Sequence, residues 1–256
     1  MDKRKRQIVT RFDEAEGYDA AADIQRRCAA FLAERIVAEL TETQPAHILE
    51  FGCGTGFLTE HLSRGFPNSA ILATDLAPTM LARARSRLHG QKNIAFKVMD
   101  GERPDAMGPF DLIASSLCFQ WFENRSKGLE RLCRLLAPGG TLMIATLLEG
   151  SLKEWRSTCQ KTDTPCGVPS YPGAPTLQQE WPSGGRGKWH TANMQDPVPN
   201  ARIFLRRLQQ IGASLPGKGS TPAGVHALRR AMSCFDKEHT SVTYALGIGI
   251  FRKDMP

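Results

Sequence analysis

The chain has 256 residues, 41% of them hydrophobic and 23% charged, with 33 Lys/Arg against 26 Asp/Glu for a net charge of +7. That balance supplies a buried core and excludes a disordered or collagen-like chain. The longest clean apolar run, Leu142 to Leu148, is far too short to span a membrane, and no apolar stretch follows the basic start to make a secretory signal.

From residue 46 to 148 strand-like and helix-like stretches alternate. His47 to Phe51 is a short apolar run stopped by glycine, and Phe57 to Arg64 reads as helix. Ala70 to Thr74 is the next strand. Pro78 then suits the first turn of a helix whose Met80, Leu81, Ala84 and Leu88 share one face. Ile94 to Met99 alternates with period two, and Phe110 to Leu117 has the composition of a buried parallel strand. Leu129, Leu132, Cys133 and Leu136 form a helical stripe, which Pro138-Gly139-Gly140 is expected to end before a strand over Thr141 to Leu148. Five strands separated by helices predict an α/β fold, a doubly wound parallel sheet with helices on both faces.

Beyond this core the rhythm breaks. Cys159 to Pro199 is dense in Pro, Gly, Ser and Thr and predicts an irregular segment, flanked by helices over Ser151 to Gln160 and Ala201 to Ile211. A third helix is expected over Pro222 to Phe235, and Ser241 to Phe251 has strand composition and should return to the sheet. The organisation read from the sequence is therefore a core over 1–148, a lid inserted after the fifth strand over 149–230, and a return to the core over 231–256.

Charge is concentrated in one of these parts. Residues 1–150 hold 19 basic and 19 acidic residues, and 231–256 hold 3 of each, so the whole excess lies in 151–230, with 11 basic against 4 acidic. Such a block can steer an acidic partner, or be a solvated face with none. Basic runs interleaved with aromatics are missing, which argues against nucleic acid. The seven Cys form no C-x-x-C pair and the six His lack ligand spacing, so the reading is a reducing cytoplasm and no metal.

The chemistry begins at Glu50-Phe51-Gly52-Cys53-Gly54-Thr55-Gly56. Glycines at alternate positions between a strand and a helix let the backbone pass close beneath a flat ligand. The dinucleotide pattern G-x-G-x-x-G fails, because Phe57 stands where its last glycine would be. Asp75 ends the second strand, 19 residues beyond Gly56, where a carboxylate can accept both hydroxyls of a ribose. Asp100 ends the third strand and could take an adenine amine. Each acid alone is better explained as an exposed turn residue, but Glu50, Asp75 and Asp100 together line one sheet edge.

These residues resemble the class I S-adenosylmethionine-dependent methyltransferases, whose fold is a Rossmann-like sheet. The resemblance implies that Gly52, Gly54 and Gly56 wrap the methionine part and Asp75, followed by Leu76, the ribose. It further implies that Asp100 and Gly101 hold the adenine, and that Ser115 and Ser116 face the sulfonium. The flanks narrow it. Tyr18 and Gln25 near the N-terminus, Ser115 to Trp121 after the fourth strand, Thr146 to Leu152 after the fifth, and Phe204 to Leu208 are together similar to the malonyl-acyl-carrier protein O-methyltransferases of biotin synthesis, the BioC family.

That family transfers a methyl group from S-adenosylmethionine, leaving S-adenosylhomocysteine, to the free carboxylate of malonyl-phosphopantetheine on an acidic acyl-carrier protein. The resemblance implies Tyr18, Gln120 and Trp121 at the reacting end, although Tyr18 and Trp121 could equally be packing residues, and Gln25 beside the cofactor. It implies a docking face with Arg202, Arg206, Arg207 and Lys218. A cytoplasmic monomer that binds neither nucleic acid nor membrane is expected. The alternative is a methyltransferase for another small carboxylate or metabolite, and carrier-bound and coenzyme A-bound malonyl are not separated by sequence.

Overall fold

The structure, a computed structural model, describes residues 3–41, 44–213 and 222–255. Its elements in chain order are α1 (Lys3–Asp13), α2 (Tyr18–Ala21), α3 (Asp23–Glu39), β1 (His47–Phe51), α4 (Phe57–Gly65), β2 (Ala70–Asp75), α5 (Pro78–Arg87) and β3 (Ile94–Val98). There follow β4 (Phe110–Ser116), a 3-10 turn (Phe119–Trp121), α6 (Arg125–Arg134), β5 (Leu136–Leu147), α7 (Lys153–Lys161), α8 (Ala174–Gln178), β6 (Gly185–Pro197), α9 (Ala201–Gln210), α10 (Val225–Glu238) and β7 (Ser241–Lys253). The strands form one seven-stranded sheet in the order β3-β2-β1-β4-β5-β7-β6. This is the expected α/β sheet, with β1 to β5 where the sequence places them.

The chain divides into two compact units. One comprises residues 25–146, 173–191 and 247–256, and the other 1–24, 147–172 and 192–246. In the first, β1 pairs in parallel with β2 and β4, so Glu50 stands level with Ala73 on one side and Ala114 on the other. The strand order reverses between β1 and β4, which makes the carboxyl ends of these strands the switch point where open α/β sheets bind ligands. Ile48, Leu49, Leu112, Ile113, Leu142 and Ile144 are fully buried, as strands covered on both faces require.

Two features depart from the sequence reading. Pro138-Gly139-Gly140 does not separate α6 from a later strand: α6 ends at Arg134, and these three residues lie inside β5, where the β4–β5 register shifts between Phe110 and Leu112. Gly139 takes φ +72, and a Cβ at Gly140 would meet two carbonyl oxygens at 2.9 Å, so glycine makes this bulge possible. Within the segment expected to be irregular, β6 runs for 13 residues. A Cβ at Gly187 would sit 2.4 Å from the Trp181 ring, and one at Gly249 would sit 2.7 Å from Trp189. Glycines thus make room for two stacked indoles, 5.2 Å apart between centroids. The bidentate pair of Arg125 with Glu180 ties the same segment to α6.

The second unit is built around Trp155, Phe204 and Phe235, one ring each from α7, α9 and α10, with centroids 5.9 to 6.0 Å apart. The Trp155 indole donates to the Cys166 carbonyl at 3.0 Å. Asn200 caps α9 by accepting the Ile203 amide at 2.9 Å, and Asp236 of α10 accepts the Ala201 amide at 2.6 Å. The second lid helix was expected over Ala201 to Ile211 and the third over Pro222 to Phe235; both form, the third starting and ending three residues later.

Candidate active site

The glycine turn is anchored from β2. The Cys53 amide donates to the Thr74 carbonyl at 2.9 Å, and the Thr74 hydroxyl donates to the Glu50 carbonyl at 2.8 Å. Asp75 accepts the Gly54 amide on one oxygen and the Ala77 amide on the other, both at 2.8 Å. Its carboxylate therefore shapes the turn. Gly52, Gly54 and Gly56 all have positive φ, at 66°, 56° and 90°. At Gly52 the need is also steric, because a Cβ would lie 2.2 Å from the Cys118 sulfur.

Six buried side-chain polar atoms in this unit have no hydrogen-bond partner among the described residues: Glu50 Oε2, Ser116 Oγ, Gln25 Oε1, Thr59 Oγ1 and the indole nitrogens of Trp181 and Trp189. Glu50 and Ser116 stand at the carboxyl ends of β1 and β4. Buried polar groups left unpaired are costly, so their gathering beside a glycine turn marks a place for a polar ligand. Burial pushes the Glu50 carboxyl up to about 8, with the Thr59 side chain opposing and the Asp75 charge adding to the rise. A cationic amine placed beside it would favour the ionised form and draw its pKa down again.

The other predicted positions divide. Ser115 is fully buried and its hydroxyl donates to the Phe51 carbonyl at 2.7 Å, so of the two serines only Ser116 has a hydroxyl to offer. Asp100 accepts the Glu102 amide at 3.0 Å, and Leu76 lies half-buried directly after Asp75. Gly101 packs on Phe51, whose ring a Cβ there would meet at 2.8 Å. Gln25 belongs to the unit of the glycine turn, whereas Tyr18 belongs to the other, buried against Phe12 with ring centroids 6.3 Å apart.

Gln120, expected at the reacting end, spends its side chain internally. Its amide donates to the Leu117 carbonyl at 2.8 Å and its oxygen accepts from the Thr146 hydroxyl at 3.1 Å. Both ends of the side chain are thus engaged within the fold. Trp121 is half-buried on the same turn, and Phe119 and Phe122 are core rings 5.1 Å apart.

Sequence reasoning missed Glu102. Its buried carboxylate accepts the Glu123 and Asn124 amides at 3.1 and 2.8 Å, fixing the approach to α6 from the Asp100 loop. The signal available was slight, an acid two residues after Asp100.

Of the docking set, Arg202 and Arg206 are exposed on α9. Arg207 instead pairs with Asp196 at 3.4 Å and donates to the Pro197 carbonyl at 3.0 Å. Lys218 lies outside the described residues. No group of three or more potential metal ligands occurs among the described residues, and none of their helices is long and apolar enough to cross a membrane.

The residues present fit S-adenosylmethionine: a buried carboxyl with one unpaired oxygen at the end of β1 and an unpaired hydroxyl at the end of β4 accompany a left-handed glycine turn, with a carboxylate at the end of β2. Comparison with known proteins agrees. Residues 48–140 match a family model described as a methyltransferase domain. The chain is 36% identical over 255 residues to the malonyl-[acyl-carrier protein] O-methyltransferase of Magnetococcus marinus, covering 98% of this chain and 93% of that one. It is 30% identical to the protein of the same name from Pseudescherichia vulneris, covering 98% of both. It is also 38% identical to the biotin biosynthesis bifunctional protein BioCD of Bordetella avium, over 97% of this chain and 52% of that one. Among solved structures, the N-methyltransferase NodS of Bradyrhizobium japonicum, in complex with S-adenosyl-L-homocysteine, matches with a TM-score of 0.58 at 15% identity, covering 98% of this chain and 99% of that one. The YcgJ protein of Bacillus subtilis matches with a TM-score of 0.63 at 12% identity, over 89% and 100%. Both structural likenesses concern the fold.

Proposed function

The chain belongs to the family of malonyl-acyl-carrier protein O-methyltransferases, and from that membership we infer that it methylates the free carboxylate of a malonyl group borne by an acyl-carrier protein. The observation that carries this reading is likeness over almost the whole chain, lid included, rather than over the methyltransferase domain alone. Bound S-adenosylmethionine supplies an electrophilic methyl group on a sulfonium. The protein's task is set by the acceptor. A malonyl carboxylate has an unperturbed pKa near about 4 and is ionised at neutral pH, so the attacking oxygen needs no general base. What remains is alignment of oxygen and methyl carbon, together with exclusion of water.

In this reading Glu50, Gln25 and Ser116 satisfy their unpaired atoms on the methionine end of the cofactor, and Asp75 accepts the ribose hydroxyls. Asp100, Leu76 and Gly101 border the adenine. Tyr18 and Trp121 are assigned to the reacting end. Arg202 and Arg206 remain candidates for the carrier-facing surface, because both are exposed on α9, while Arg207 is held by Asp196. Acidic carriers would be steered to such a surface in a salt-sensitive way.

The reading is tested by intact mass of malonyl-carrier protein after incubation with enzyme and S-adenosylmethionine, beside malonyl-coenzyme A and free malonate. A gain of one methyl group on the carrier-bound acid, faster than on either small molecule, supports it. Methylation of another free carboxylate in preference would favour the small-metabolite alternative.

A further inference from the structure

The segment between β4 and the 3-10 turn is held in an unfavourable backbone conformation by a specific set of bonds. Leu117 has φ +54, in the left-handed region where a non-glycine residue persists only when its surroundings over-determine it. Its amide donates to the Ala145 carbonyl at 2.8 Å, continuing the pairing in which Ser116 stands level with Ala145. Its carbonyl accepts from Gln120, and Gln120 accepts from Thr146, which is buried in the penultimate position of β5. Both faces of the Leu117 peptide are therefore tied to β5, one directly and one through Gln120.

The residues on either side of Leu117 explain why this matters. Ser116 carries the unpaired buried hydroxyl at the end of β4. Cys118 packs so closely over Gly52 that no side chain fits there. Were Leu117 to relax to an ordinary negative φ, Ser116 and Cys118 would be reoriented together, and with them the contact onto the glycine turn.

We propose that Gln120 and Thr146 form a clamp that locks Leu117 in its left-handed conformation, making Gln120 a positioning residue for methyl transfer. The clamp fixes the segment carrying Ser116 and Cys118 against the glycine turn without touching either reactant. Its significance for turnover rests on the methyltransferase reading above, whereas its existence in the free protein does not.

The test uses Gln120→Met, which keeps length and loses both bonds, Thr146→Val, the double variant, and Thr146→Ser as the conservative rescue. Hydrogen exchange of the Leu117 amide is followed in the free enzyme. Both single variants should exchange that amide at least about tenfold faster, and Thr146→Ser should match the wild type. On malonyl-carrier protein, kcat should fall about tenfold to a hundredfold in each single variant, and Thr146→Ser should keep the wild-type value. The double variant should be no slower than the slower single one. Unchanged exchange at Leu117 in Gln120→Met, or losses that multiply in the double variant, would overturn the clamp. If the wild type fails to methylate the carrier while the exchange results hold, the substrate assignment falls and the clamp stands.

Discussion

The carboxylate of Asp75 accepts the backbone amide of Gly54 at 2.8 Å, joining the last residue of β2 to the middle of the glycine turn. The residue assigned to the ribose is thus also the residue that shapes the loop around the cofactor.

Asp75→Ala is therefore expected to do two things at once. Loss of the two charge-assisted bonds should cost about 2 kcal/mol of stability, and cofactor affinity should fall by about a hundredfold. Calorimetric titration with S-adenosylhomocysteine and thermal melts measure the two effects. Wild-type affinity in Asp75→Ala would remove the ribose role.

Glu50 links stability to pH. Its folded pKa, about 8, lies above the unfolded value of 4.5, so the folded state binds more protons between those values. The contribution is fully present below pH 4.5 and is lost as pH rises through 8. Melts of the free protein should show stability declining across this window, and Glu50→Gln should flatten that decline while weakening cofactor binding. An identical slope in the two proteins would contradict the account.

Cys159 and Cys166 form a pair of unequal thiols. Hydrogen bonding from Cys159 is the main influence drawing the Cys166 thiol down to about 7, against its own burial, with Val168 and Arg156 assisting. The Cys159 thiol is pushed up, chiefly by that same bond and by burial. Iodoacetamide should label Cys166 at neutral pH with a rate rising through pH 7, and Cys159→Ala should shift that rise to higher pH. Peptide mapping that finds Cys159 labelled first would reverse the assignment.

Charge reversal at Arg202 and Arg206 should raise KM for malonyl-carrier protein by about tenfold at low ionic strength, with the difference shrinking as salt is added. Cofactor affinity should not change. Arg207→Glu should instead lower the melting temperature, since it leaves Asp196, 8% exposed, facing a like charge. A KM effect confined to Arg207 would relocate the docking face.

The sheet was legible because β1 to β5 carry the apolar runs that burial on both faces demands, and the glycine turn sits between an obvious strand and helix. β6 was not, since Gly185 to Pro197 contains a single β-branched residue, Thr191, and few other signals of a strand. Its alternation is real, with Arg186, Lys188 and His190 exposed in turn, but its packing comes from Trp181 just before it and from Gly249 of β7, distant in sequence. The Pro138-Gly139-Gly140 run reads as a helix stop in isolation, and only pairing with β4 reveals a bulge.

In the site, the sequence placed Glu50 and Asp75 at the ends of the first two strands, where the structure has them. It could not separate Ser115 from Ser116, because the difference is a single bond to the Phe51 carbonyl. Nor could it tell that Gln120, a polar residue amid aromatics, is occupied by Leu117 and Thr146. Such distinctions depend on which acceptors folding brings within reach, and no spacing along the chain encodes them.

The most direct test of the central claim is transfer of a labelled methyl group from S-adenosylmethionine to malonyl-acyl-carrier protein, followed by mild alkali. The account predicts label on the carrier that alkali releases, as a carboxyl methyl ester requires. Label that resists alkali, or no transfer while the cofactor is bound, would contradict it.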